Sequence, residues 1–338
     1  MTNKLATQYL GLELANPFVP SSSPMSRDID IAKQLEDAGA SGLVMHSLFE
    51  EEIKHQHEQL HRFVEQQNTG FQEASSFLPM SEAIPDARDN YLECLQQLKS
   101  ALDIPIIASL NGTSIDGWIE YGKALEQAGA NALELNVYHI AASKEETASE
   151  VEERYFKILT NLKEQVLLPI TVKLSSQHSA PVNFICRLKT FGAMGVSMFN
   201  RFYVPDINLE SLKIEPAISL STSAESLLRI RWIAFTRGQV DIDIAATGGL
   251  HTTEDIIKAL LAGADVTHLC SALLQHGPYY LGRLIRELNE WLDENEYDSI
   301  EQMKGSLSCK NAINPSALER TNYLEVIDSY QSALGVHL

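Results

Sequence analysis

DIDIAATGGLHTTEDIIKALLAGADVTHLCSALLQHGP, residues 241–278, sets two strand-like runs around a helix-like one. Ile242 to Ala246 is a short apolar run that ends in the sharp turn Thr247-Gly248-Gly249. Thr253 to Leu261 has helical periodicity, a threonine start and Glu254 and Asp255 in its first turn. Gly263 stops it, Val266 to Cys270 is a second apolar run, and Ser271-Ala272 is a second turn of small residues. The pattern predicts strand, turn, helix, strand, turn, with both turns at the carboxyl ends of neighbouring parallel strands. Glycines without Cβ let a phosphate approach backbone N–H groups, and the N-terminus of a following helix adds partial positive charge. In a (β/α)8 barrel the loops after strands seven and eight build such a site. The alternative is a pair of ordinary βα turns that hold nothing.

The same junction recurs outward along the chain. Leu261-Ala262-Gly263-Ala264 before an apolar run is matched by Asp37-Ala38-Gly39-Ala40 before Gly42 to Met45. Gln127-Ala128-Gly129-Ala130 before Ala132 to Leu135 matches it too, and Phe191-Gly192-Ala193 before Gly195 to Phe199 does so more loosely. Each reads as a helix end, a glycine C-cap and a buried strand. Their irregular spacing excludes a solenoid. Further strands at Pro105–Leu110, Pro169–Leu174 and Gly195–Asn200, with an extended run over Asn16–Pro20, bring the count to about eight. Helices are expected over Asp28–Ala38, Ile115–Gln127, Glu145–Gln165, Pro181–Thr190, Ala224–Arg237 and Tyr279–Asn295. The expected fold is α/β, a (β/α)8 TIM barrel in one domain over 1–338. Its core covers about 16–296 and a polar extension covers 297–338. Insertions follow strand two (Phe49 to Arg88) and strand six (Arg201 to Ile218), on the side where barrels build active sites.

Charge narrows the function. The 338 residues carry a formal net charge of −19, which argues against nucleic acid or an anionic membrane as partner. An anionic ligand must then be held by backbone dipoles and a few placed cations. No apolar run reaches membrane-span length, and Cys94, Cys186, Cys270 and Cys309 show no paired spacing. A cytoplasmic enzyme without a cysteine-ligated metal is expected. His57-Glu58-Gln59-Leu60-His61 matches the H-E-x-x-H zinc pattern, but its flanks are polar throughout and read as a solvated surface helix. No metal site is expected there.

Lys173 interrupts the apolar strand Thr171-Val172-Lys173-Leu174. A lysine inside a barrel must be paired or serve an anionic or electron-rich ligand; the other reading is a strand-end lysine that snorkels to solvent. Asn136 and Asn200 likewise end apolar strands and offer amide donors and acceptors to the barrel mouth. His139, just after Asn136 and Tyr138, is either a general base or a packed or solvated loop histidine.

These pieces together resemble the dihydroorotate dehydrogenases, in particular the soluble class 1 group and its dihydroorotate dehydrogenase-like branch. The resemblance rests on Asn16-Pro17-Phe18, Glu134-Leu135-Asn136, Val172-Lys173-Leu174, Phe199-Asn200-Arg201-Phe202-Tyr203 and Ala246-Thr247-Gly248-Gly249. It implies FMN at the carboxyl mouth of the barrel and oxidation of dihydroorotate to orotate in pyrimidine biosynthesis, with a base taking a C5 proton while hydride passes from C6 to the flavin. Carried over, it sets Ser21, Ser22, Ser23 and Ser47 against the flavin and Lys173 beside its ring. Asn136 and Asn200 are shared between flavin and substrate. Gly248, Gly249, Ser271 and Ala272 fall on the phosphate turns, with Ser221 and Thr222 in place of a glycine-rich loop. His139 stands nearest the family's catalytic cysteine or serine. His46 replaces a lysine, and the substrate-clamping asparagines are replaced near Ala74-Ser75-Ser76 and at Ala141. The cofactor shell is thus more fully matched than the orotate shell. A homodimer and an unidentified electron acceptor are also implied. Two other readings compete: a non-redox phosphate-binding lyase or isomerase with Lys173 as its reactive amine, and a flavoprotein that has lost dihydroorotate activity.

Overall fold

Strands buried on both faces form where short apolar runs sit between helix ends and turns. In the computed structural model, which describes residues 3–56, 86–202, 204–215 and 219–318, eight such runs pair in parallel as one sheet. In chain order they are β3 (Phe18–Pro20), β4 (Leu43–Phe49), β5 (Ile106–Asn111), β6 (Ala132–Asn136), β7 (Ile170–Leu174), β8 (Gly195–Met198), β11 (Asp243–Thr247) and β12 (Val266–Leu269). The sheet curls from β4 round to β12 and β3, and at the seam Ser41 N–H donates to Phe18 O at 3.1 Å. With helices between the strands, this is a nearly closed (β/α)8 barrel.

The repeated junctions set the rhythm. At each one an alanine N–H reaches back five residues: Ala40 to Leu35 O, Ala130 to Leu125 O, Ala193 to Leu188 O and Ala264 to Ala259 O, at 2.9–3.1 Å. That is the six-to-one bond of a Schellman cap, which ends a helix and aims the chain into the next strand. Helices start as their caps dictate. Asp28 accepts from Asp30 and Ile31 N–H to open Ile29–Asp37, and Thr147 with Glu150 makes a capping box for Ala148–Lys163.

Both expected insertions lie where the sequence puts them. After β8, Asp206–Asn208 (β9) and Lys213–Glu215 (β10) form an antiparallel hairpin. After β4, residues 50–56 are helical; His57 to His61 and Ala74 to Ser76 fall outside the described residues. The second barrel strand runs further than expected, to Phe49, so His46 and Ser47 lie within it. Its register shifts between Val44 and Ser47, which turns Ser47 to Ser109 while His46 faces Ser26 and Tyr91.

Two features at the base of the barrel went unread in the sequence. The antiparallel pair Thr7–Tyr9 (β1) and Leu12–Leu14 (β2) plugs it: Tyr9, Leu10 and Leu14 pack with Val19, Val44, Ile107, Ala132, Ala245 and Val266 as one buried cluster. The polar extension also docks. Ile300 and Met303 are fully buried, and Gly305, Leu307 and Cys309 N–H groups donate to Leu260, Leu261 and Ala234 carbonyls. Lys304 Nζ sits 2.9 Å from Asp265 Oδ1. The base of the barrel is therefore closed, and its polar groups, such as Asp265 and Asp243, are paired with Lys304, Arg237 and the Leu10 N–H.

Candidate active site

Side chains two residues apart on a strand face the same way, so the inward positions stack in layers. Above the apolar layer, Glu134 on β6, Lys173 on β7, Ser197 on β8 and His268 on β12 meet inside the barrel, all buried. Lys173 Nζ lies 3.4 Å from Glu134 Oε1, and Ser197 Oγ donates to Glu134 Oε2 at 2.9 Å. His268 Nδ1 stands 3.6 Å from the same oxygen. Tyr9 from the plug donates to Thr171 Oγ1 at 2.9 Å and sets its ring edge against His268.

Burial alone would push the Glu134 carboxyl up, but the Lys173 cation and the Ser197 hydroxyl help hold the group below its ordinary value. Burial lowers the His268 imidazole to about 4. With that ring neutral at pH 7, Lys173 is the cation that keeps Glu134 ionised.

Over this layer opens a cavity of about 720 Å³ at the carboxyl ends of the strands, within the size range of cofactor pockets. Ser21, Ser22, Lys173, Asn200, Ser221, Gly248, Gly249 and Ser271 all line it. Behind the wall a relay of side chains joins four of the expected residues. Ser22 Oγ is 3.4 Å from Ser47 Oγ, Asn136 Nδ2 donates to Ser47 Oγ (3.4 Å), and Asn200 Nδ2 donates to Asn136 Oδ1 (2.7 Å).

The far end of the cavity is the pair of small-residue turns. Ser221 ties them: its hydroxyl donates to Ser271 Oγ at 2.9 Å and accepts from Gly249 N–H at 3.3 Å. Gly249 has φ +80°, and a Cβ there would lie 2.4 Å from Ser226 N. Only glycine fits that turn. The following helix is not the anion donor expected from the sequence, because Asp255 Oδ2 already accepts from His251 and Thr252 N–H and from Ser223 Oγ. A self-capped N-terminus has little left to offer a ligand.

Positive charge comes instead from Arg229. Its guanidinium is buried against the turn, with Nε donating to Thr247 O (3.3 Å) and Nη1 to Glu225 O (2.8 Å). Arg201, at the rim, bonds Ser219 and pairs with Glu225. These are the placed cations that a chain of net charge −19 needs.

Several expected residues do not line the cavity. Ser23 caps the short helix Pro24–Arg27 by accepting from Met25 N–H, Thr222 N–H donates to Glu225, and Ala272 is packed in the core. His139 stands apart. Its Nε2 meets the Glu146 carboxylate at 2.8 Å, and it borders a side crevice with Arg154 and Lys157. Its neighbour Tyr138 packs against Phe202, a residue lining the cavity, with the rings tilted and their centroids 4.4 Å apart. Among the described residues no group of three or more His, Cys, Asp or Glu side chains is placed to hold a metal, and none of the helices is long and apolar enough to cross a membrane.

Glu134, Ser197, His268 and Arg229 were missed in the sequence. For three of them the signal is there: Ala132/Glu134/Asn136, Gly195/Ser197 and Val266/His268/Cys270 alternate inward. A polar residue at an inward position of an apolar strand marks the active layer. Arg229 lies on a helix and gave no such sign.

The cavity fits a phosphorylated, ring-bearing cofactor. A Gly-Gly turn and Ser271 face one end, a buried lysine and asparagine the other, and His268 beneath has no hydrogen-bond partner on either ring nitrogen. A family model described as dihydroorotate dehydrogenase matches residues 4–292. NAD-dependent dihydropyrimidine dehydrogenase subunit PreA of Escherichia coli K12 is 24% identical over 95% of this chain and 80% of its own length. The catalytic subunit of dihydroorotate dehydrogenase B (NAD(+)) of Shouchella clausii is 31% identical over 60% of this chain and 68% of its own. Dihydroorotate dehydrogenase A (fumarate) of Lactobacillus delbrueckii subsp. bulgaricus is 33% identical over 51% and 57%. The chain belongs to the dihydroorotate dehydrogenase family, and it is a flavin-dependent oxidoreductase built on a (β/α)8 barrel.

Proposed function

We propose that the cavity holds FMN and that the protein oxidises a small cyclic amide across a C–C bond, with dihydroorotate the first substrate to test. The observation that carries this reading is the span of one cavity, from the Gly248-Gly249 and Ser271 turns to Lys173 and Asn200. FMN would set its phosphate on those turns, near Arg229, and supply the two-electron acceptor. Lys173 then holds positive charge beside an electron-rich ring, while Asn200, fixed by Asn136, orients the substrate amide.

The proton acceptor in this reading is His139, whose ring partner Glu146 would stabilise the protonated form. Because its ring borders the side crevice, the role requires residues 137–146 to turn it toward the mouth when substrate binds. Anaerobic addition of dihydroorotate should bleach the flavin absorption, and His139→Gln should slow that bleaching by about 100-fold or more, the usual range for a general base. Bleaching at an unchanged rate removes His139 from the mechanism. Flavin that is present but never reduced removes dihydroorotate as substrate.

One domain over 1–338 carries the site, with a core at about 16–296 and an extension from 297 whose residues Ile300 to Cys309 brace the barrel. The four cysteines form no disulfide, which suits the cytoplasm. Val204, Ile207, Leu209, Leu212 and Ile214 expose an apolar hairpin beside the mouth, which suits a homodimer. A monomer mass in sedimentation would remove that last element.

A further inference from the structure

His268 has no use in the scheme above, yet it occupies the centre of the barrel. It is fully buried on β12, borders the cavity from below, and neither ring nitrogen has a hydrogen-bond partner. Its Nδ1 faces Glu134 Oε2 at 3.6 Å, just beyond bonding distance. A buried imidazole left this way is destabilising unless some state of the protein uses it.

The groups around it define what that state is. Glu134 on β6 and Lys173 on β7 carry opposite charges that cancel. Tyr9 from the base plug is held neutral, because burial pushes its phenol far up. Cys270, two residues along β12, is held neutral for the same reason. His268 itself is neutral, since burial lowers its ring to about 4. The layer is therefore balanced only while the Lys173 end of the cavity above it carries no extra charge. Extra negative charge there would leave a net anion in a low-dielectric interior, and His268 is the one neutral group in the layer that can accept a proton to cancel it.

We propose that His268 is the charge-balancing residue of the cavity: when two electrons enter the bound flavin, its Nδ1 takes up one proton from solvent, and it releases that proton on reoxidation. This rests on the FMN reading above. Hydride from the substrate brings two electrons and one proton, leaving the flavin one unit more negative, and the proton on His268 restores neutrality. The new N–H points at Glu134 Oε2, which accepts it with a small closure of the 3.6 Å gap. In linkage terms, uptake occurs between the oxidised-state value of about 4 and the higher value imposed by the reduced flavin, and vanishes outside that window.

The experiment is the reduction potential of the bound flavin against pH, from 5 to 8, in wild type, His268→Gln and His268→Met. One extra proton for two electrons adds about 30 mV per pH unit to the slope. The wild type should show that added slope from pH 5 upward until the reduced-state imidazole titrates, and both variants should lack it. Equal slopes across the range in flavin-loaded variants overturn the inference alone. Should the variants not retain flavin, the reduced-minus-oxidised infrared difference spectrum of histidine-labelled wild type decides. A gained imidazolium band supports the proposal and its absence overturns it. Wild-type protein that takes up no flavin overturns the preceding reading and this one with it.

Discussion

Replacing Lys173 with methionine is expected to cost about 3–5 kcal/mol of stability at pH 8, because it strands the Glu134 carboxylate in the barrel interior. Glu134 itself is fully buried beneath the cavity, so protonation is the main way to relieve the orphaned charge. In the wild type Glu134 is held below its ordinary 4.5, so its contribution is present above that value and is lost as pH falls through the lowered one. In Lys173→Met the same carboxyl is raised, so the dependence reverses: the variant should recover stability as pH drops from 8 to 5. Denaturant unfolding at the two pH values reads both the size and the sign. The double variant Glu134→Leu/Lys173→Met should regain most of the loss, since removing both partners is far less costly than removing one. It should not regain flavin affinity. A Lys173→Met protein as stable as wild type at pH 8 would mean that Lys173 is not the counter-charge of Glu134.

The second large effect is expected from Gly249→Ala. The added Cβ would meet Ser226 N at 2.4 Å and the Glu225 carbonyl carbon at 2.8 Å, and the backbone would keep φ +80°. Those neighbours are main chain, so no rotamer change can make room. A left-handed alanine alone costs about 1–2 kcal/mol, and relieving the contact must move Gly249 N–H off Ser221 Oγ. FMN affinity should fall about 100-fold, equivalent to about 2.7 kcal/mol. Riboflavin, which lacks the phosphate, should lose far less, so the ratio of the two affinities isolates the turn from any general loosening. Equal losses for both ligands would place the phosphate elsewhere.

Much of this architecture was legible in the chain because the information is local. Glycine caps such as Gly39 and Gly263, followed by short apolar runs, announce αβ junctions, and four of them made a barrel the economical solution. The turns proposed to hold the phosphate could be picked out for the same reason: Thr247-Gly248-Gly249 and Ser271 lie within one continuous stretch. What escaped depends on residues distant in sequence. Tyr9 reaches the barrel centre only because the hairpin it sits on plugs the base, and it meets Thr171 across 162 positions. Arg229 reaches the Thr247-Gly248-Gly249 turn from a helix whose sequence gives no hint of it. The histidines divide along the same line. His46 stands in a strand whose register shift, invisible in the sequence, turns its ring away from the cavity, whereas His268 was readable by alternation once β12 is aligned with its neighbours. His139 was singled out by its place in the chain, and the fold gives its ring to Glu146 instead of the cavity.

The central claim is that one cavity, from Lys173 to the Gly248-Gly249 turn, holds FMN. It is tested most directly by denaturing the purified protein and identifying the chromophore released, with free FMN added to any colourless preparation before repeating the assay. The expected result is FMN at one per chain, lost in Gly249→Ala and retained in His139→Gln. Protein that is colourless as purified and takes up no FMN on loading would contradict the account.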